Sequence, residues 1–474
     1  MDVAYLDVCF CDGHNSLLDA VSNLPNQDGA TFVIEHLMFK QINFLSNITM
    51  LRYWVFLAVF SLAIAGLFAI FLVLSKIPGL DGLITWPLSF FEKGLIAHVL
   101  LSIVVWYLAV FGCMIQTNRK SSIGITEILG FLILCSGTIL CLIPAVSDRG
   151  QPTLNNYIPI IIDDLFYYGL GLIAIGTLGA GYKLLVTEKH NSDLGEAYIL
   201  LIFVIIAIII SGIQLKGQPL NYAYNERLVW GGGHIMQFFN VTLLISAWSV
   251  IGSISKSNIF FKASILWLVL SGLVSLSFYF LWPASSEMQI QSFTNMQYAS
   301  GISILIFLPA LSGAMYNSFF NKSFWDIKKF TLWCSVTLFF VGGIFGIFVD
   351  GTDTRTPAHY HGMIGGINLA FIGLFYTVFF PKLGYAPLKG KLVSCQIAFY
   401  AIGQLLFIVG MYITGGMGAA RKVMGTAIDM DNSLGIIAAR VRDFGGGLAI
   451  LGGILFIFIC LRTLFRKPER KKIN

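Results

Sequence analysis

Residues 196–215, EAYILLIFVIIAIIISGIQL, form an apolar stretch whose one charged residue is the first, Glu196. A helix of about 20 residues spans about 30 Å, the thickness of the hydrocarbon core of a membrane. Similar stretches lie at 53–75, 94–117, 122–144, 161–186, 228–252, 259–283, 297–320, 330–350, 357–381, 392–415 and 441–464. Transmembrane strands would instead alternate in segments of about ten residues. The pattern therefore predicts an all-α, polytopic membrane bundle of about twelve transmembrane helices.

The composition excludes most soluble classes of protein. Of the 474 residues, 57% are apolar and 11% are charged, whereas soluble domains have about 45–50% apolar and about 25% charged residues. Disordered, collagen-like and nucleic-acid-binding proteins do not combine these values. Five of the eight cysteines lie in apolar runs, where cysteine acts as a small apolar side chain rather than as part of a disulfide framework.

The distribution of Lys and Arg predicts the orientation of the chain. With twelve spans, 20 of the 30 basic residues lie on the side of the two termini, and basic residues favour the cytoplasmic side. We therefore expect three parts: a polar cytoplasmic N-terminal segment (1–52), a membrane domain (53–464) and a basic cytoplasmic tail (465–474). Both termini are expected in the cytoplasm.

Four of the seven histidines, His98, His234, His359 and His361, lie within predicted spans. Spans 2, 6 and 10 all start on the outer side, and each histidine lies within about six residues of that start. Because a helix rises about 1.5 Å per residue, all four are expected at one depth, in the outer third of the membrane. They could each contact interfacial water, but an ionisable residue within a membrane more often marks a functional site.

The spacing of two of these histidines suggests two separate centres. His359 and His361 are one residue apart, so on a helix they point about 200° away from each other. They cannot easily chelate one ion together. Imidazole suits iron, copper and zinc, and two flat cofactors on opposite faces of span 10 would satisfy both side chains. Haem is the candidate that we favour.

The pattern resembles the twelve-span catalytic subunit I of the haem–copper oxidase superfamily. The motif Ala358-His359-Tyr360-His361-Gly362 is similar to the signature of span 10 in that family. His98 stands where the second-span haem ligand belongs, and His234 where the sixth-span copper ligand belongs. Arg421 and Lys422, between spans 11 and 12, are similar to the basic pair of the family. The resemblance covers nearly the whole chain after residue 50.

The resemblance implies two haems. His98 and His361 would be the axial ligands of a low-spin haem that passes electrons, and His359 would be the proximal ligand of a high-spin haem that binds O2 or NO. Arg421 and Lys422 would neutralise haem propionates. It also implies a cytochrome c-type or quinol electron donor, an accessory membrane subunit and a place in the bacterial inner membrane.

The copper site departs from the family pattern. The family takes one copper ligand from span 6 and an adjacent histidine pair after span 7, where this chain has Trp282-Pro283-Ala284-Ser285. With His234 alone, a three-histidine copper site cannot form. Glu287, Gln289 or Gln291 could supply oxygen or amide ligands, which favour a harder metal than copper. A second metal other than copper therefore stays an alternative.

The catalytic tyrosine and the proton-pumping residues of the family are also replaced. Phe238 stands where oxygen-reducing members carry a tyrosine, and Met236 replaces the sixth-span acid. The residues at 309–315 are apolar where the family has a lysine. The segments 230–238 and 154–159 are more similar to nitric-oxide-reductase-like branches. A coupled proton pump is therefore not predicted.

Three hypotheses follow from these observations. The first is a haem oxidoreductase that reduces O2 or NO, resembling cytochrome c oxidase subunit I or a nitric oxide reductase. The second is a catalytically degenerate dihaem protein that relays electrons or binds gases. The third is a transporter, which the lack of a clear internal repeat disfavours.

Overall fold

The computed structural model describes residues 27–74, 90–147, 149–188, 192–320, 326–349, 351–420 and 433–468. Span 1 is the helix Gln27–Leu74, and span 2 comprises Phe90–Val99 and Trp106–Asn118, joined by the π-helical segment Leu100–Val105. Span 3 is Ile125–Val146, and span 4 comprises Asp164–Gly181 and the short helix Lys183–Val186. Span 5 is Ser192–Gln214, and span 6 is Tyr222–Ile251. Span 7 is Ile259–Leu281, span 8 comprises Glu287–Met296 and Tyr298–Phe320, and span 9 is Ile327–Gly346. Span 10 comprises Arg355–Leu374, the π-helical segment Phe375–Phe379 and the short helix Phe380–Lys382. Span 11 is Lys391–Gly416, and span 12 is Ser433–Leu464.

Twelve spans of the described residues are long and apolar enough to cross a membrane. This result confirms the predicted all-α bundle of about twelve transmembrane helices. Strands within the described ranges are limited to β1, Gln151–Thr153, and β2, Ile160–Ile162, which pair antiparallel in the connection between spans 3 and 4. The loop between these strands, residues 154–159, contributes to the candidate site.

Several helices begin earlier than the apolar pattern predicts, and the difference is largest in spans 1, 8 and 12. Span 1 begins at Gln27, span 12 begins at Ser433 rather than 441, and span 8 is preceded by the helix from Glu287. The expected boundary at residue 52 therefore falls within a helix and does not separate two elements. The apolar run predicts where a helix can lie in lipid, but the helical backbone can continue beyond that run, and 30–52 contains neither Gly nor Pro to interrupt it.

Spans 2, 6 and 10 form the centre of the bundle. In their most apolar windows 72%, 83% and 72% of residues are buried, against 28–44% in the other nine spans. These three spans also carry the four predicted site histidines. The histidines thus lie on the helices that the rest of the protein surrounds, where water is scarce and unpaired polar groups are costly.

Candidate cofactor site

His98 lies on span 2 and is positioned by span 1. Its Nδ1 lies 2.9 Å from the carbonyl oxygen of Ala65. A carbonyl can only accept, so Nδ1 carries the proton and Nε2 keeps a free lone pair. Within the described ranges, Nε2 has no hydrogen-bond partner. Metal-binding histidines commonly have this arrangement, in which a carbonyl fixes the ring and the other nitrogen faces the metal.

The helix changes its winding immediately after His98. Residues Leu100–Val105 are π-helical, and the hydroxyl of Ser102 donates to the carbonyl of His98 at 2.7 Å. A π-helical segment inserts extra backbone into an α-helix and is frequent at functional sites. Here the segment follows the histidine in the chain, so it shifts the register of His98 relative to the rest of span 2.

His359 on span 10 shows the same arrangement against span 9. Its Nδ1 lies 2.8 Å from the carbonyl oxygen of Gly342, so Nδ1 donates and Nε2 has a free lone pair. Span 9 can approach this closely because its residues are small: a Cβ on Gly362 would lie 2.5 Å from Cα of Gly342. A Cβ on Gly346 would lie 2.5 Å from Nδ1 of His359. The imidazole therefore occupies space that these glycines leave.

His361 faces another part of the bundle. Its ring lies 5.3 Å from the ring of Phe407 on span 11, in an edge-to-face arrangement. A charge on His98 would act on His361, which puts the two imidazoles in the same region of the bundle. His359, in contrast, is held by span 9. Two axial ligands of one flat cofactor need such a pairing, and the donor set fits a haem iron.

His234 on span 6 differs from the other site histidines. It is 1% exposed, and its Nδ1 lies 2.8 Å from the carbonyl oxygen of Trp230. Its Nε2 lies 2.9 Å from the hydroxyl of Tyr157. Since Nδ1 must carry the proton to donate to a carbonyl, Nε2 is the acceptor and Tyr157 is the donor. Both ring nitrogens of His234 are therefore occupied by protein groups.

The residues around His234 do not fit a copper ion. Over the described part of the chain, no cluster of three His, Cys, Asp or Glu side chains could hold a metal. Of the alternative ligands, Glu287 and Gln291 are exposed and Gln289 is buried. The oxygen of Gln289 accepts from the backbone N–H of Ser285 at 2.9 Å. The donor set is thus one engaged imidazole and one partly engaged amide.

Tyr157 is a site residue that the sequence did not reveal. It lies in the loop between β1 and β2, and its φ of 63° is in the left-handed region that side chains rarely adopt. Burial raises the pKa of its phenol, and the Glu226 carboxylate raises this pKa further. The phenol therefore stays protonated at neutral pH, as a donor to His234 must be. A tyrosine in a loop carries no spacing signal relative to a histidine 77 residues later.

The predicted basic pair, Arg421 and Lys422, lies outside the described residues. The turn that leads to it is described: Thr354 N–H donates to the Ala419 carbonyl at 2.9 Å. The first turn of span 10 is closed by an ion pair between Asp353 and Arg355, with the carboxylate 2.7 Å from the guanidinium. The start of span 10 is thus joined to the connection that carries the predicted pair.

Comparisons with known proteins identify two proteins of similar sequence and a solved structure of similar fold. No family model matches the chain. An uncharacterized protein of Rickettsia prowazekii is 25% identical, with 88% of this chain and 96% of that protein covered. An uncharacterized protein of Aquifex aeolicus is 29% identical over 71% of this chain and 86% of that one.

A solved heme–copper terminal oxidase, which forms a dimer, superimposes with a TM-score of 0.73 over 90% of this chain and 85% of that chain. The chain has the fold of a haem–copper terminal oxidase. Sequence identity to that structure is 18%, so the likeness extends to the fold and not to the individual residues of the site. The predicted all-α membrane fold is therefore confirmed, and it is the fold of that oxidase.

Proposed function

We propose that the protein is a haem-containing membrane oxidoreductase of the haem–copper oxidase type. Electrons would pass through a low-spin haem held by His98 and His361 to a high-spin haem held by His359, where O2 or NO is reduced. The observation that carries this proposal is the shared state of His98 and His359: each has Nδ1 on a backbone carbonyl, and no described residue hydrogen-bonds its Nε2. When bound, the haems supply the electron transfer and the gas binding.

The chain itself orients and tunes the ligands. The carbonyls of Ala65 and Gly342 accept from the two imidazoles, which fixes their tautomer and makes Nε2 a better electron donor. The spans that carry these rings are the most buried in the bundle. The resulting low dielectric strengthens each of these hydrogen bonds and lowers the exchange with water.

Among the two gases, NO is the substrate that we favour. Four-electron reduction of O2 needs electrons and a hydrogen atom at once, and Phe238 has no hydroxyl to donate. The copper donor set beside His234 is incomplete. Reduction of two NO to N2O and water takes two electrons and two protons, against four of each for the reduction of O2 to water. A dihaem electron relay or gas-binding protein is the second candidate, because both nitrogens of His234 are engaged.

Spectra and metal analysis of the purified full chain test the proposal. We expect a reduced-minus-oxidised spectrum with one low-spin and one high-spin haem, two iron atoms and substoichiometric copper per chain, and CO binding to the reduced high-spin haem. NO consumption with an artificial electron donor would support the reductase, and CO binding without turnover would support the second candidate. A protein without haem would overturn both proposals.

We also propose that both termini lie in the cytoplasm of a bacterial inner membrane. Partners would be a cytochrome c-type or quinol donor and an accessory membrane subunit. A membrane-impermeant maleimide should label Ala284→Cys in vesicles with the native orientation, and Ser257→Cys only in inverted vesicles. Both positions are exposed and lie at opposite ends of span 7. The reverse labelling pattern would reverse the proposed orientation.

A further inference from the structure

Three site histidines share one tautomer but differ at Nε2. In His98, His234 and His359, Nδ1 donates to a backbone carbonyl at 2.8–2.9 Å. At His98 and His359 nothing in the described ranges hydrogen-bonds Nε2, whereas at His234 the hydroxyl of Tyr157 donates to it at 2.9 Å. A lone pair that accepts a hydrogen bond cannot bind a metal ion at the same time. His234 is therefore in a different chemical state from His98 and His359.

The loop that carries Tyr157 is held on span 6 by one carboxylate. Glu226 accepts from the backbone N–H of Asn156 at 2.9 Å and from the side-chain amides of Asn155 and Asn156. The amide of Asn155 also donates to the carbonyl of Tyr222 at 2.9 Å. Hydrogen bonds to an ionised carboxylate are among the stronger ones in proteins. They offset the cost of the left-handed backbone at Tyr157.

The packing around the pair is equally specific. A Cβ on Gly233 would overlap Cγ of Tyr157, so the ring can lie over span 6 only because this residue is glycine. The Tyr157 ring is 5.8 Å from the ring of Trp230, and the His234 ring is 6.2 Å from that of Phe293. These aromatic rings surround the hydrogen bond, and the imidazole is 1% exposed. Water therefore does not compete for Nε2.

We propose that Tyr157 is a positioning residue that holds His234 as a neutral hydrogen-bond acceptor and closes it to metal ions. Spans 6 and 10, which carry His234 and His359, pack against each other. The Tyr157–His234 pair would then take the place of a second metal near the high-spin haem. The second part rests on the proposed function; the first part does not. The hydroxyl acts through the imidazole, because it fixes the position of the lone pair and occupies it.

Zinc binding tests the first part without any haem chemistry. The purified full chain is equilibrated with Zn2+, desalted and analysed for metal, alongside His234→Ala. We expect the two proteins to retain the same amount of zinc, because the nitrogen that His234→Ala removes was not available. Retention of one zinc per chain that His234→Ala abolishes would overturn the proposal.

The stretching frequency of CO on the reduced high-spin haem tests the second part. Tyr157→Phe keeps the ring and removes only the hydroxyl, so it should shift the frequency by releasing the imidazole. Tyr167→Phe is the matched control: this hydroxyl donates to Asn225 at 2.8 Å and not to His234, and we expect no shift. In a His234→Ala background, Tyr157→Phe should have no further effect, since the acceptor is gone.

The outcomes separate this inference from the proposed function. If CO binds and its frequency is the same in Tyr157→Phe and the unmodified protein, the pair does not lie beside the haem and the second part is overturned. If no haem binds CO, the proposed function is overturned, while the zinc comparison still decides whether His234 is closed to metal ions.

Discussion

A glycine lies beside both His359 and His234, but the space that it leaves is filled differently in the two places. Beside His359, Gly346 leaves room for the imidazole, so Nδ1 reaches a carbonyl of span 9 and Nε2 stays open. Beside His234, Gly233 leaves room for Tyr157, whose hydroxyl then occupies Nε2. The comparison teaches that two histidines predicted at one depth in the membrane can differ in the groups that reach the second ring nitrogen.

Replacing His98, a predicted haem ligand, should have the largest effect of the changes considered, and the effect should be seen in the haem spectra. In His98→Ala the low-spin haem spectrum should disappear completely while the high-spin spectrum stays, because one axial ligand is lost. Optical and electron paramagnetic resonance spectra of the purified protein measure this. His234→Ala is the control and should retain both haem spectra. Unchanged spectra in His98→Ala would contradict the assignment of the low-spin haem.

A methyl group beside His359 should have the next largest effect. In Gly346→Ala the new Cβ would lie 2.5 Å from Nδ1, which forces the ring or span 9 to move at a cost of about 1–3 kcal/mol. We expect the occupancy of the high-spin haem under limiting haem to fall about tenfold, the equivalent of about 1.4 kcal/mol. Gly343→Ala is the control, since its nearest atom would be 3.9 Å away. Equal losses in both variants would show that packing of span 9 alone is responsible.

A methyl group beside Tyr157 should affect only the other region. Gly233→Ala should displace the Tyr157 ring and lower the free energy of unfolding by about 1–3 kcal/mol, measured as a lower Tm of the detergent-solubilised protein. Both haem spectra should be retained. Gly212→Ala, whose nearest atom would be 3.7 Å away, should leave Tm nearly unchanged. Loss of the low-spin haem in Gly233→Ala would show that the two regions are not independent.

Weakening the attachment of the loop should have the smallest effect. Glu226→Gln keeps the shape of the side chain but removes its charge, so the hydrogen bonds from Asn155 and Asn156 weaken by about 1 kcal/mol in sum. We expect a small decrease in Tm, and faster hydrogen exchange at residues 155–157. Glu287→Gln, at an exposed position, is the matched control. Identical exchange in both variants would mean that Glu226 does not hold the loop.

Some features were accessible from the sequence because they depend on local physics. Long apolar runs such as 196–215 must be helical in lipid, since every backbone group has to be hydrogen-bonded within its own segment. The spacing of His359 and His361 requires opposite faces of one helix, and the structure accordingly places His359 against span 9 and His361 near His98 and Phe407. The absence from the sequence of the adjacent histidine pair that the family carries after span 7 was equally visible. These conclusions need only helix geometry and a residue count.

Other features were decided by the tertiary structure alone. The state of each imidazole depends on a partner from a distant segment: Ala65 for His98, Gly342 for His359, and Tyr157 for His234. No periodicity relates these residues, because each pair meets only when two spans, or a span and a loop, pack together. The early start of span 1 at Gln27 was hidden for a similar reason. An apolar pattern reports which part of a helix is suited to lipid and contains no information on where the hydrogen-bonded backbone ends.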